Sequence, residues 1–126
     1  MDRKILIEAI RSSRNKETCY PKSSELWDDA KKSLWQCAVT SLVVQDFLWG
    51  DIVYDADNNH YWNVLSAWEV FDLTRDQFDD DVVVLGDWVI IDRNTILEGE
   101  SSSQAKTYHR YILLKDRTEK NILRLY

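Results

Sequence analysis

Ser33-Leu34-Trp35-Gln36-Cys37-Ala38-Val39-Thr40-Ser41-Leu42-Val43-Val44-Gln45-Asp46-Phe47-Leu48-Trp49 is the stretch on which the fold turns. Ser33, followed three residues later by Gln36, matches a capping box, in which two polar side chains satisfy the first unpaired amides of a helix. A helix is therefore predicted over 33–49, with Cys37 in its first turn. Ala38, Val39, Leu42, Val43, Val44, Phe47 and Leu48 spread over more than one helical face. A helix apolar on several sides needs cover on several sides, so this one is predicted to be central and mostly buried. Gly50 is placed to end it.

On the N-terminal side, Ile5, Leu6, Ala9 and Ile10 share one face of a helix predicted over 2–13. The polar segment 14–24, which contains Pro21, is a connector. On the C-terminal side the pattern changes to strands. Ile52-Val53-Tyr54 is the first, 55–59 is turn material, and 60–65 and 68–73 are the second and third. The acidic stretch 76–81 reads as a solvated loop. Segments 82–85 and 88–91 flank Gly86-Asp87 as a further hairpin. Residues 100–106 are loop-like, 108–114 fit strand or helix, and 118–126 read as a short closing helix. Helices segregated from an antiparallel meander define an α+β domain, with the Cys37 helix packed on the sheet.

The 126 residues fit a single globular domain spanning 1–126. Six Trp, six Tyr and three Phe supply a large core, and three Gly with one Pro argue against disorder. A net charge of −6 repels phosphate backbones and anionic lipid, which disfavours nucleic acid and membrane partners. No apolar run approaches the roughly 20 residues of a membrane span. Charges inside the apolar start at Met1–Ile10 do not read as a signal peptide, so the cytoplasm is the expected compartment. There Cys19 and Cys37 are expected as thiols, and without a CxxC pair no structural zinc is expected. No Gly-rich phosphate loop or serine elbow is present, and no cofactor is expected. Asp55, Asp57 and Asn59 open like a calcium loop, but His60 and Ser66 stand where Gly and Glu belong, so no metal is expected there.

Three residues form a candidate constellation. A thiol in the first turn of a helix faces unpaired amides and the positive end of the dipole. Such placement can lower a thiol's pKa from about 8.5 into the range of roughly 3.5 to 7.5. An ordinary buried thiol is the competing reading of Cys37. His60 opens an aromatic strand directly after a polar turn and is the candidate base. Asp72, between Phe71 and Leu73, either orients that imidazole or caps the turn that follows it. A hairpin centred on Ser66 sets His60 directly opposite Asp72 on one face. A two-residue turn at Ser66-Ala67 sets His60 against Leu73 and turns Asp72 to the other face.

The order of a helix-start Cys followed by His and Asp on neighbouring antiparallel strands resembles the papain-like superfamily core. That group includes transglutaminase-like, NlpC-type and arylamine acetyltransferase folds. The stretches 36–47, His60-Tyr61-Trp62-Asn63 and 72–78 are similar to the YunG-like family of small bacterial proteins, a resemblance that covers about 27–78 well and 108–126 loosely. It implies a papain-like or transglutaminase-like core with Cys37, His60 and Asp72 acting as a catalytic set. Gln36 and Trp62 are the candidates for oxyanion stabilisation or substrate positioning. The chain departs from the family pattern at Trp35, where Gly is usual, and at Trp49-Gly50, where Gly-Gly is frequent. A bulky Trp35 beside the thiol would narrow access to it.

Two functions follow. One is a thiol hydrolase or acyltransferase acting on an amide or ester of a small molecule or peptide. The other is an inactive interaction module of the same fold, its aromatic residues serving a partner or a second copy.

Overall fold

The structure is a computed structural model that describes residues 1–18, 36–56, 59–74, 88–98 and 106–125. Helix α1 spans Arg3–Ser13. Asp2 caps it, its carboxylate accepting from the amides of Lys4 at 2.8 Å and Ile5 at 3.4 Å. Leu6, Ala9 and Ile10 are its buried face, as the periodicity requires. Beyond it the connector begins with a single 3₁₀ turn, Lys16–Thr18.

Helix α2 spans Cys37–Leu48 and starts four residues later than predicted. Gln36 holds the N-cap position with no side-chain capping bond, and Ser33 lies outside the described residues. The capping-box reading of Gln36 fails because its amide finds better partners in the connector, described below. Residues 39–44 are buried without a break, so the helix is covered on every side over that stretch. It ends as Trp49 and Gly50 both take positive φ, 64° and 81°. Gly50 is required there for a second reason. A Cβ at this position would lie 2.6 Å from the Val64 carbonyl oxygen.

Among the described residues four strands follow, β1 Asp51–Asp55, β2 His60–Val64, β3 Val70–Phe71 and β4 Trp88–Ile91. They form one sheet in the order β3-β2-β1-β4. All three pairings are antiparallel. The predicted third strand shrinks from six residues to two. Ser66–Trp68 form a 3₁₀ turn with Ala67 and Trp68 in the left-handed region, which occupies the start of the expected strand. β4 pairs with β1 rather than continuing the meander. Its expected hairpin partner, 82–85, lies outside the described residues.

Among the described residues, two helices follow the sheet. α3 spans Arg93–Glu98, which the sequence pattern did not reveal. The Asp92 carboxylate accepts from the Asn94 amide at 2.8 Å at its start. α4 spans Thr107–Leu125 and unites the two segments expected at 108–114 and 118–126. Tyr111, Leu114, Thr118 and Ile122 are buried at helical spacing straight through the charged stretch between them, which lies on the outer side.

α4 packs against both α1 and α2, and α2 lies with its other side on β1 and β2. Leu6, Ile10, Leu42, Val43, Ile52 and Leu114 meet in one core across these layers. Asp46 near the end of α2 accepts from Arg93 at 2.9 Å and from the Tyr111 hydroxyl, tying α2, α3 and α4 together. The fold is therefore α+β, with the Cys37 helix packed on an antiparallel sheet. Among the described residues no helix is long and apolar enough to cross a membrane.

Candidate active site

Cys37 is the first residue of α2. The first intrahelical bond runs from the Thr40 amide to the Gln36 carbonyl at 2.9 Å. The amides of residues 37–39 therefore point past the helix end, where the dipole is positive. The thiol is half-buried, and its sulfur lies 4.0 Å from the main-chain carbonyl of Asn59. Asn59 has a φ of 48°, a left-handed conformation that Asn tolerates, and it swings the chain into β2 at His60. The sulfur thus sits over the rim of the sheet where β2 begins.

His60 is fully buried. Its Nε2 is 2.7 Å from Oδ2 of Asp72. Its ring stacks on Trp62, two residues on and on the same face, with centroids 5.5 Å apart and planes 22° apart. Burial pulls the imidazole pKa down. The hydrogen bonds with Asp72 and Cys37, together with their charges, pull it up more strongly and hold it at about 9. An imidazolium is therefore the resting form at neutral pH.

The β2–β3 register explains how Asp72 arrives there. Val64 pairs with Val70 and Asn63 with Phe71, so the hairpin is centred on Ala67, one residue beyond the expected Ser66. The turn is still odd-centred, which keeps Asp72 on the face of His60 and Trp62. Continuing the register sets Asp72 across from Trp62, with His60 as its diagonal neighbour. Diagonal Cα atoms are roughly 7–8 Å apart, a gap these two side chains close. The other carboxylate oxygen, Oδ1, accepts from the Thr74 amide at 3.1 Å and the Thr74 hydroxyl at 3.2 Å. One oxygen of Asp72 therefore bonds the imidazole while the other caps the following turn. Arg14, at the end of α1, donates to the Leu73 carbonyl at 2.9 Å and holds the chain just after it.

Gln36 and Trp62 go elsewhere than expected. Gln36 is buried, its Nε2 donating to the Asn15 carbonyl at 2.9 Å and its Oε1 accepting from the Thr18 hydroxyl at 2.7 Å. Its amide thus locks the connector to the start of α2. Trp62 is buried in a small cluster with Val53 and Val64, where it backs the imidazole rather than facing a substrate. Trp35 and Cys19 lie outside the described residues.

Sequence reading missed the tyrosines beside the thiol. Tyr54 and Tyr61 pair across β1 and β2, with ring centroids 4.5 Å apart. The Tyr54 hydroxyl donates to Oδ1 of Asn59 at 2.8 Å. Burial first, then the charges of Cys37 and Asp55, raise the Tyr54 phenol. Burial, Tyr54 and Cys37 raise Tyr61 to about 12. Both stay protonated in the neutral range. The signal was present in the sequence, because a hairpin turning over 56–59 sets Tyr54 against Tyr61 and Asp55 against His60. Among the described residues no group of three or more His, Cys, Asp or Glu side chains gathers to hold a metal.

A model of the family described as YunG protein matches residues 2–123. No curated protein and no solved structure matches the chain.

Proposed function

The chain belongs to the YunG protein family, and on that premise we propose that it is a thiol enzyme with a Cys37-His60-Asp72 triad on a papain-like or transglutaminase-like core. It hydrolyses an amide or ester, or transfers its acyl group, with a small-molecule or peptide substrate in the cytoplasm. The observation that carries this reading is a buried His60 bonded to Asp72 at 2.7 Å, with Cys37 at the start of α2 among the groups that raise its pKa.

Asp72 takes the proton-bearing Nε2, so proton exchange with the sulfur falls to Nδ1. Cys37 attacks the carbonyl carbon as thiolate, its proton residing on His60. A C–S bond forms, and negative charge develops on the carbonyl oxygen near the helix-start amides. The C–N or C–O bond breaks as His60 protonates the leaving group. Water, or an amine in transfer, then attacks the thioester while His60 takes its proton, and the C–S bond breaks to restore the thiolate with its proton on His60. Asp72 fixes the imidazole and balances its charge throughout.

The test is incubation with p-nitrophenyl acetate, followed by intact-mass and peptide analysis. An acetyl group on Cys37, absent from a folded Cys37→Ala variant, is the expected result. A folded wild-type protein that takes up no acetyl group at Cys37 defeats the reading. The alternative, an inactive interaction module, is favoured by Trp49 and Trp68, exposed at 79% and 76%. It predicts that same negative result together with self-association or partner binding lost in Trp49→Ala or Trp68→Ala.

A further inference from the structure

A thiol that attacks a carbonyl needs donors for the oxygen that becomes negative, and a side-chain donor beside the thiol would add to the main-chain amides at the start of α2. The side chain next to the thiol in sequence, Gln36, is buried and committed to Asn15 and Thr18. On the other side of the sulfur stands Asn59. Its main-chain carbonyl lies 4.0 Å from Sγ, and its side-chain oxygen holds the Tyr54 hydroxyl at 2.8 Å. One residue therefore brings the thiol and a half-buried phenol to the same rim of the sheet. The phenol's ring is braced by Tyr61 across the strand pair.

Resting on the thiol-enzyme reading above, we infer that Tyr54 is a further catalytic residue, its hydroxyl donating to the oxyanion formed when Cys37 attacks. In the resting state Asn59 Oδ1 keeps the hydroxyl hydrogen bonded. As charge develops on the substrate oxygen, the O–H rotates about the Cζ–O bond and exchanges a neutral amide acceptor for an anionic one. A hydrogen bond to an ion is roughly twice as strong as one between neutral groups, so the exchange favours the tetrahedral state over the ground state. The phenol keeps its proton because burial and neighbouring negative charge disfavour the phenolate. No proton leaves Tyr54 in the step, so its balance is unchanged by turnover.

Tyr54→Phe removes the hydroxyl and retains the ring stacked on Tyr61. Two reagents separate the roles. Acetylation by p-nitrophenyl acetate passes through an oxyanion, whereas alkylation by iodoacetamide displaces iodide at a saturated carbon and forms none. The expected result is Cys37 acetylation slowed about 10²-fold, the cost of losing one oxyanion donor, with alkylation of the same thiol unchanged. Equal slowing of both reactions overturns the inference, because it marks Tyr54 as a brace for Asn59 and His60. Unchanged acetylation overturns it too. A wild-type protein that alkylates at Cys37 and does not acetylate brings down the thiol-enzyme reading itself and this inference with it. Asn59→Ala gives a second measurement. It frees the hydroxyl from its resting acceptor, and acetylation that then falls in proportion to alkylation also counts against a donor role.

Discussion

Replacing Asp72 with Asn tests the electrostatics at the centre of the site. Oδ1 remains in Asn, so the bonds from the Thr74 amide and hydroxyl have an acceptor and the end of β3 keeps its turn. What is lost is the negative charge 2.7 Å from His60 Nε2. With burial unopposed by that charge, the imidazole loses the strongest of the influences that hold it at about 9. A group whose pKa is higher folded than unfolded adds stability in full below its unfolded value and loses it as pH rises through the folded one. For His60 that window runs from the ordinary 6.5 to about 9. At about 1.4 kcal/mol for each pH unit, the whole contribution is about 3 kcal/mol. Wild-type stability should therefore fall by up to about 3 kcal/mol across the window. Asp72→Asn should be less stable at the acid end, nearly flat through the window, and convergent with wild type at its alkaline end. Urea unfolding followed by tryptophan fluorescence gives the profile. The His60 C2–H resonance gives the titration directly, with the exposed His109 as the second histidine. Repeating both in a Cys37→Ala background removes the thiol and leaves the share owed to Asp72. A wild-type profile flat across the window, or one parallel to that of Asp72→Asn, refutes the coupling.

Two further substitutions probe the frame around the site. Gly50→Ala should lower stability by about 2 kcal/mol or more, because it combines a φ of 81° with a Cβ 2.6 Å from the Val64 oxygen; an unchanged urea midpoint would show that the α2–β1 turn does not press on β2. Asp46→Ala should cost about 1–2 kcal/mol, since it removes the carboxylate that accepts from Arg93 and the Tyr111 hydroxyl and leaves them only their bonds to Gln45 and to each other. A loss under about 0.5 kcal/mol would reduce the cluster to an ordinary surface ion pair.

The sequence by itself determined the parts whose evidence is local. The spacing of Leu6, Ala9 and Ile10 and the cap at Asp2 set α1. Apolar residues on more than one face of the stretch after Cys37 set a buried central helix, since no single-sided packing could hide them. The turn residues 55–59 set the β1–β2 hairpin, and with it His60 at a strand start. Parity alone required an odd-centred turn if His60 and Asp72 were to share a face. Only the tertiary structure decided the rest, because each remaining choice is a competition between partners far apart in the chain. Gln36 fits a capping box on its own turn, yet Asn15 and Thr18 offer it a buried pair. Left-handed backbone at Ala67 and Trp68 moved the hairpin centre by one residue and cut β3 to two. β4 pairs with β1, a choice made between strand edges and invisible to periodicity. The two C-terminal segments became one α4 because α1 and α2 cover its buried stripe end to end. Cys37, His60 and Asp72 are named by residue type and spacing, but Tyr54 is recognised only when Asn59 brings its hydroxyl and the sulfur to one rim, since a tyrosine in a strand carries no mark of what its far end will touch.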